Sequence, residues 1–415
     1  MHTFITLPSA ASLVALSVAM QAPPAAQQPA PADWKTLEQG ALQNHVQLTM
    51  PERFVKAGEA YFSPDDQRIV FQAVEVPKAG ETPDEFYSMY VADVVRGEGG
   101  KISGIANVKR VSPKGSANTC GWFDPNDPMT LYFATTMGPP TASEPPGYQR
   151  GTGRYRWMFP PEMRIVMADL KKIGQDGAAL TQVVGDGKAY VAEGSISPNG
   201  KYLIYCDLAQ GQGDIFVMNR ENGEKKALVV APGYDGGPFF APDGKRIVYR
   251  SDRNGDNMLQ VFVSDLAFDA QGHIIGLAEE HQVTRDGNVN WAPYFHPNGK
   301  FLVFAGSGVS HRNYEVFSVD ADTLSRDGIK QSRYGTNMRR VTQADGADVL
   351  PVFSHDGKWM MWTAQRGPDK SSQLWVAEWV LPNDPPKPPE QSGGPSSGSH
   401  GTSDSGHSSG GEGKR

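Results

Sequence analysis

One pattern recurs six times along the chain: an apolar residue two places before a Pro or His at a fixed anchor, a tight turn, then a run of β-branched and aromatic residues. The copies read YFSPDDQRIVF around Pro64, WFDPNDPMTLYF around Pro125, SISPNGKYLIY around Pro198, FFAPDGKRIVY around Pro242, YFHPNGKFLVF around Pro297 and VFSHDGKWMMW around His355. The physics is clearest between Phe239 and Asp265. Phe239 and Phe240 end one strand, and Pro242-Asp243-Gly244-Lys245 is a turn in which Pro presets φ and Gly accepts φ > 0. Arg246 to Arg250 forms a second strand on β-branched and aromatic propensity. Asp252 to Asp256 is turn chemistry again, and Leu259 to Ser264 is a third strand. Such a unit cannot bury both faces alone, so its repetition decides the fold.

The anchors are spaced by 61, 73, 44, 55 and 58 residues. The shortest interval approximates a bare four-stranded unit, and the longer ones carry loop insertions. The third-strand signal recurs as FYSMYVADV, EMRIVMADL, DIFVMNR, LQVFVSDL, YEVFSVD and QLWVAEW. Six registered copies predict an all-β, six-bladed β-propeller of four-stranded antiparallel blades. In the other copies a Leu/Val-Thr step closes the unit, most clearly Val283-Thr284 and Val341-Thr342. The last copy ends at Trp379 with no such step. Val46 to Met50 (Val46-Gln47-Leu48-Thr49) predicts an N-terminal strand that fills the vacancy beside Trp375 and leaves no open edge.

The run of Pro-x-Phe-Ser-Pro-Asp-Gly-Lys type, with its following "I-F-V-x-D" and "L-T" steps, resembles the TolB-type, WD40-like propeller repeat. Residues 290–305 and 347–363 carry it best, and the resemblance spans roughly residues 46–380. TolB itself carries an α/β domain before its propeller. Here the first copy begins near Gly58, so that domain is not expected. The resemblance implies a protein-binding role in the cell envelope, with an unidentified envelope protein or small ligand as partner and no catalysis required. Propellers host many activities, so the fold does not fix the function.

Residues 1–21 hold a short apolar run from Ala10 to Met20, with Ser17-Val18-Ala19 as a small-residue cleavage site. They predict a signal peptide and a periplasmic or secreted, monomeric protein that does not span the membrane when mature. Residues 22–45 predict a Pro/Ala-rich linker followed by a helix or clasp from Trp34 to Asn44. Residues 46–382 are the propeller, and residues 383–415 predict a disordered Pro/Gly/Ser tail containing His400 and His407. The net charge of −7 argues against a nucleic-acid groove. Cys120 and Cys206 belong to different repeats and predict two buried free thiols.

Two places could carry function. Residues 137–161, between the second and third strands of the second unit, account for most of its extra length. Arg150, Arg154, Tyr155, Arg156, Trp157 and Phe159 there have the composition of a binding hot spot, or of a local satellite core. Seven residues before the anchors stand Asn118, Asp235, Asn290 and Asp348, and five before stand Glu59, Cys120 and Glu193. The residues of the first set are turn formers before a strand. Alternatively Glu59, Glu193, Asp235 and Asp348 ring the channel mouth and hold Ca²⁺, as in channel-metal propeller hydrolases or lyases. The loop from Asp252 lacks a distal acid and predicts a hairpin rather than a calcium loop. His296 and His355 predict surface or packing roles. No nucleophile elbow, P-loop, dinucleotide fingerprint or H-E-x-x-H motif occurs.

Overall fold

In this computed structural model the described residues are 33–380, apart from 142–146, 150–153, 157–158, 175–176, 322, 327–328 and 333. Six four-stranded antiparallel sheets follow one another in sequence, each an ordered blade of strands A to D. Strand A runs Phe54–Phe62, Asn118–Asp124, Val191–Ile196, Asp235–Phe240, Asn290–Phe295 and Asp348–Phe353 in blades 1 to 6. Each runs directly into an anchor turn. There Ser or Ala accepts or donates across the hairpin, as in Ser63 N to Arg68 O at 2.9 Å and Ala241 N to Arg246 O at 2.8 Å. The buried second strands pack between blades: Ile69, Val70, Leu131, Ile204, Val248, Leu302 and Met361 are all nearly inaccessible. By alternation, the A–B and C–D turns share one face, and the B–C and D–A connections share the other.

The ring closes through blade 6. Its outer strand is N-terminal, Leu42–Gln47, pairing antiparallel with Gln373–Trp379 in the register Leu42 to Trp379 and Val46 to Val376. The closing strand therefore starts four residues before the Val46 expected from sequence. The cause is the role of the Leu/Val-Thr step, which ends a blade rather than forming its strand. Thr49, Thr284 and Thr342 each turn a hydroxyl onto a strand C amide: Leu374 at 2.8 Å, Val261 at 2.9 Å and Val316 at 2.8 Å. Ser112 does the same for Met89 at 2.9 Å. Thr and Ser recur there because a short hydroxyl satisfies an amide at the sheet margin.

Ahead of this strand lies the helix Trp34–Glu38, capped by Asp33. A second link closes the opposite face. The Asp66 carboxylate accepts from the amides of His355 and Asp356 at 2.8 and 3.0 Å, and contacts the His355 ring at 3.2 Å. His355 thus ties blade 6 to blade 1. His296 is a packing residue, buried and stacked on Phe301. Residues 147–149 and 154–156 form a small antiparallel hairpin within the blade 2 insertion, in place of a structureless loop. Blade 5 carries a second such hairpin, Thr323–Arg326 with Ile329–Ser332, and its strand D is only Arg339–Arg340.

Candidate functional site

The channel wall is built from one irregularity repeated six times. Glu59, Cys120, Glu193, Gly237, Ala292 and Leu350 occupy the same position in each strand A, five residues before the anchor. All six have positive φ: 37°, 54°, 60°, 59°, 51° and 57°. The A–B ladder slips at each of these sites. Each is a β-bulge that bends the innermost strand and re-aims one residue, a feature that clusters at barrel rims and active sites. Five of the six residues are not glycine, so the ring holds backbone strain that the surrounding packing must overcome.

Those six residues line one cavity in the axis of the propeller, with Tyr61, Trp122, Phe239, Arg250 and Tyr294 among the others around it. Its volume, about 20 Å³, is room for about one water. Two residues further along strand A, aromatic side chains close the axis. Tyr61 meets Trp122, Phe239 and Tyr294 at centroid distances of 5.4, 5.6 and 6.4 Å, and Phe239 meets Tyr294 at 5.4 Å. Beyond this plug, on the anchor-turn face, a larger funnel of about 360 Å³ is lined by the five anchor prolines, His355 and apolar partners such as Phe123 and Phe295.

Two carboxylates enter the cavity, and each is held differently. Glu193 accepts hydrogen bonds from the Tyr190 hydroxyl at 3.0 Å, the Tyr234 hydroxyl at 2.5 Å and the Gly237 amide at 2.5 Å, and pairs with Arg250 at 3.2 Å. Burial works against the Arg250 charge, but Tyr234 and Glu193 outweigh it and hold the guanidinium well above its ordinary range. Glu59 accepts from the Thr119 hydroxyl at 2.8 Å, the Cys120 amide at 3.3 Å, the Cys120 thiol at 3.0 Å and the Tyr61 hydroxyl at 3.2 Å. Burial, then Glu59 and Glu193, push the Cys120 thiol well above its usual value. It is kept as a neutral donor rather than a thiolate nucleophile. Cys120 and Cys206 are both free. Cys206 is buried, while Cys120 stands half-buried in the cavity wall.

The other acids of the expected ring lie behind the wall. Asp235 pairs with Arg253 at 2.9 Å, and Asp348 with Arg366 at 2.5 Å. Burial pushes both carboxyls upward, against the pull of those hydrogen bonds. Asn118 donates to the carbonyls of Tyr87 and Ser116, both at 2.8 Å. Asn290 donates to Asp286 at 2.7 Å. These four residues brace the start of strand A, Asp235 and Asp348 against B–C connections, Asn290 against a D–A connection and Asn118 against both. Glu59, Glu193, Asp235 and Asp348 do not gather as a ligand set, since no three of their carboxylates lie within 4.8 Å of one another. Calcium takes six to eight oxygen ligands. The cavity wall offers two glutamates, one of them already paired to Arg250, beside a thiol, and this donor set does not fit the ion.

Of the residues singled out in the insertion, Arg150 and Trp157 lie outside the described residues. Arg154, Tyr155 and Arg156 form the second strand of the small hairpin. Phe159 is half-buried and reaches the channel rim: its ring packs 4.9 Å from Tyr190 and 5.1 Å from Tyr234, the two tyrosines that hold Glu193. The arginines that neutralise the acids were missed in the sequence, although a signal was present. Arg253 and Arg366 both stand eleven residues after their anchors, in the two copies that carry Asp seven residues before.

Sequence comparison agrees with the geometry. A family model described as the TolB beta propeller domain matches residues 170–333. The chain is a six-bladed β-propeller whose repeats resemble the TolB type. It is 27% identical over 184 residues to the Tol-Pal system protein TolB of Wolinella succinogenes, a match covering 44% of this chain and 39% of that protein. It is 29% identical over 108 residues to an uncharacterised protein of Agrobacterium fabrum, covering 26% of this chain and 33% of that one. The TolB-like propeller thus spans well under half the length of these curated relatives. The crystal structure of TolB from Acinetobacter baumannii is similar at a TM-score of 0.46 and 17% identity, over 79% of this chain and 64% of that one. Among the described residues, no helix of the TolB-like propeller is long and apolar enough to cross a membrane.

Proposed function

We propose that the protein is an exported binding scaffold of the cell envelope. It receives a protein or small ligand on the face where the channel opens beside residues 137–161. The observation that carries this reading is Phe159. It joins the insertion to the tyrosine pair that fixes Glu193, so a partner seated on the insertion also touches the channel rim. The composition around it, Arg150 to Trp157, is that of a binding hot spot. The channel groups support holding over reacting: Glu193 is neutralised by Arg250, and the Cys120 thiol is kept protonated. The likeness to a Tol-Pal system protein supports an envelope location.

The test is photo-crosslinking in cells. A crosslinking amino acid at position 154, on the insertion, should yield a discrete covalent adduct in the envelope fraction. The same group at position 67, in the blade 1 A–B turn on the opposite face, should not. Adducts at position 67 alone, or a protein confined to the cytosol, would overturn the reading. A melting temperature that rises with Ca²⁺ and no longer does so in Glu59→Gln would move the assignment to a channel-metal hydrolase or lyase.

A further inference from the structure

The funnel on the anchor-turn face is apolar and large, about 360 Å³ against about 20 Å³ for the axial cavity. Its floor is the outer side of the aromatic plug, where Trp122, Phe239 and Tyr294 are only half-buried. Its polar groups are few. The Ser354 hydroxyl donates to Asp356 at 2.6 Å, and Nδ1 of His355 faces Asp66 at 3.2 Å. A suitable occupant is therefore apolar and carries few N–H groups, since a buried donor left unmet costs about 1–3 kcal/mol.

The chain itself supplies such a segment. Residues 385–389 read Pro-Pro-Lys-Pro-Pro, between the end of blade 6 and the Gly/Ser-rich run that starts at Ser392. Proline has no amide hydrogen and favours the extended polyproline II helix. Four of these five residues thus bring no donor to bury, and the segment loses little entropy on docking. Laying proline rings on aromatic side chains is the general mode by which Pro-rich segments are recognised.

The segment also leaves the blades beside the funnel. Strand C of blade 6 ends on the anchor-turn face at Trp379, whose amide donates to the Lys358 carbonyl at 2.7 Å, and Lys358 belongs to the turn that follows His355. Strands A and C of one blade are two spacings apart, about 10 Å. Residues 381–384 can span about 13 Å, which brings Pro385 to the rim. Five residues of polyproline II then run about 15 Å across the funnel. The other Pro-rich run, residues 22–32, leads instead into Trp34. The Trp34 ring lies 4.3 Å from the Arg366 guanidinium in the blade 6 B–C connection, on the opposite face.

We propose that residues 385–389 dock in cis on the aromatic floor of the anchor-turn funnel and cap that end of the channel. A tether of four residues holds the segment at a local concentration on the order of millimolar, so a weak contact suffices to keep the funnel filled. The cap leaves the face beside residues 137–161 as the open one. It does not depend on the partner proposed for that face, because it rests on the funnel and on the point where the chain leaves blade 6.

The test compares the full chain with a full-length variant carrying Pro385→Ser, Pro386→Ser, Pro388→Ser and Pro389→Ser, which alters no blade residue. The probes are the apolar dye anilinonaphthalenesulfonate and a synthetic peptide of residues 381–391. Dye fluorescence should be severalfold higher with the variant, and the peptide should reverse that rise. In the otherwise unaltered chain, a photo-crosslinking amino acid at position 387 should couple within one chain to the funnel floor, at Trp122, Phe239 or Tyr294, with a yield independent of protein concentration. Equal dye fluorescence from the two forms overturns the proposal, and so do crosslinks confined to the outer strands of the blades. Crosslinks between chains that grow with concentration overturn it in favour of a second copy as the occupant.

Discussion

Glu38 and Arg366 form a buried bidentate ion pair, Oε1 to Nη2 and Oε2 to Nη1 both at 3.0 Å, between the N-terminal helix and blade 6. Their side chains are 0% and 1% exposed. Glu38 also accepts from the Gln343 amide at 2.7 Å and contacts His45 at 2.7 Å, while Arg366 lies over the rings of Trp34 and Trp362. The helix ahead of the closing strand is thus the lock on the ring closure.

Glu38→Ala should therefore cost about 3 kcal/mol, the lower end for breaking a buried pair, since Asp348 still partners Arg366. Urea unfolding measures it, and hydrogen exchange should localise the loss to Leu42–Gln47. Burial pushes the Glu38 carboxyl up, but His45, Arg366 and the Gln343 amide outweigh it and hold it below its ordinary 4.5. A depressed folded-state value means that its contribution is complete above the unfolded value and lost as pH falls through the folded one. Wild type should lose stability below about pH 4.5 more steeply than Glu38→Ala. Equal acid slopes would remove Glu38 from the closure.

Glu315 runs the other way. Its carboxylate is fully buried against Thr342, 2.6 Å away, and Arg340. Burial pushes its carboxyl up to about 8 despite those partners. Folding then favours the protonated form. Its contribution is whole below the unfolded value near 4.5 and lost as pH rises toward 8. Glu315→Gln should flatten stability between pH 5 and 8 and raise it at pH 8 by on the order of 2 kcal/mol. A variant that is less stable than wild type at pH 8 would contradict this.

The bulge ring makes an asymmetric prediction. Ala292 sits at φ 51° and Gly237 at φ 59°, at equivalent positions. Ala292→Gly relieves left-handed strain of about 1–2 kcal/mol against a glycine entropy cost of about 0.5–1 kcal/mol. It should be neutral or slightly stabilising in thermal melts. Gly237→Ala adds that strain and places a Cβ 2.3 Å from Nη1 of Arg250, which Glu193 pins. It should destabilise by more than about 1 kcal/mol. Equal effects at the two sites would mean that the bulge is not strained.

The fold was legible because each anchor turn needs specific chemistry. Pro-Asp-Gly and Pro-Asn-Gly announce a turn wherever they stand, and six registered copies leave little choice of architecture. The channel was less legible because the feature that builds it leaves no such mark. Positive φ is usually signalled by glycine, yet Glu59, Cys120, Glu193, Ala292 and Leu350 adopt it under the compulsion of neighbouring strands. Counting acids toward the axis overstated the ring for a related reason. Whether Asp235 faces the channel or an arginine depends on a cross-strand partner sixteen or more residues away, and Arg253 stands eighteen residues on. That pairing is set by sheet register. Comparing the copies with one another would have exposed it, because Asp235 with Arg253 and Asp348 with Arg366 appear together.

The last prediction concerns what the insertion is for. Phe159 contributes to two packed groups, through Tyr190 and Tyr234, so Phe159→Ala should lower stability by about 2–3 kcal/mol and loosen the tyrosines that hold Glu193. Trp157, two residues earlier, is the aromatic anchor proposed to face a partner. Trp157→Ala should cost about 2 kcal/mol or more of partner affinity and leave the melting temperature unchanged. Measuring both quantities on both variants, with the partner recovered by crosslinking at position 154, separates the two roles. If Trp157→Ala lowers stability and the folded fraction binds normally, the insertion is a satellite core over the edge of blade 2, and the binding surface must be sought elsewhere. If it lowers affinity alone, the division of labour holds, with Trp157 meeting the partner and Phe159 carrying that contact to the channel rim.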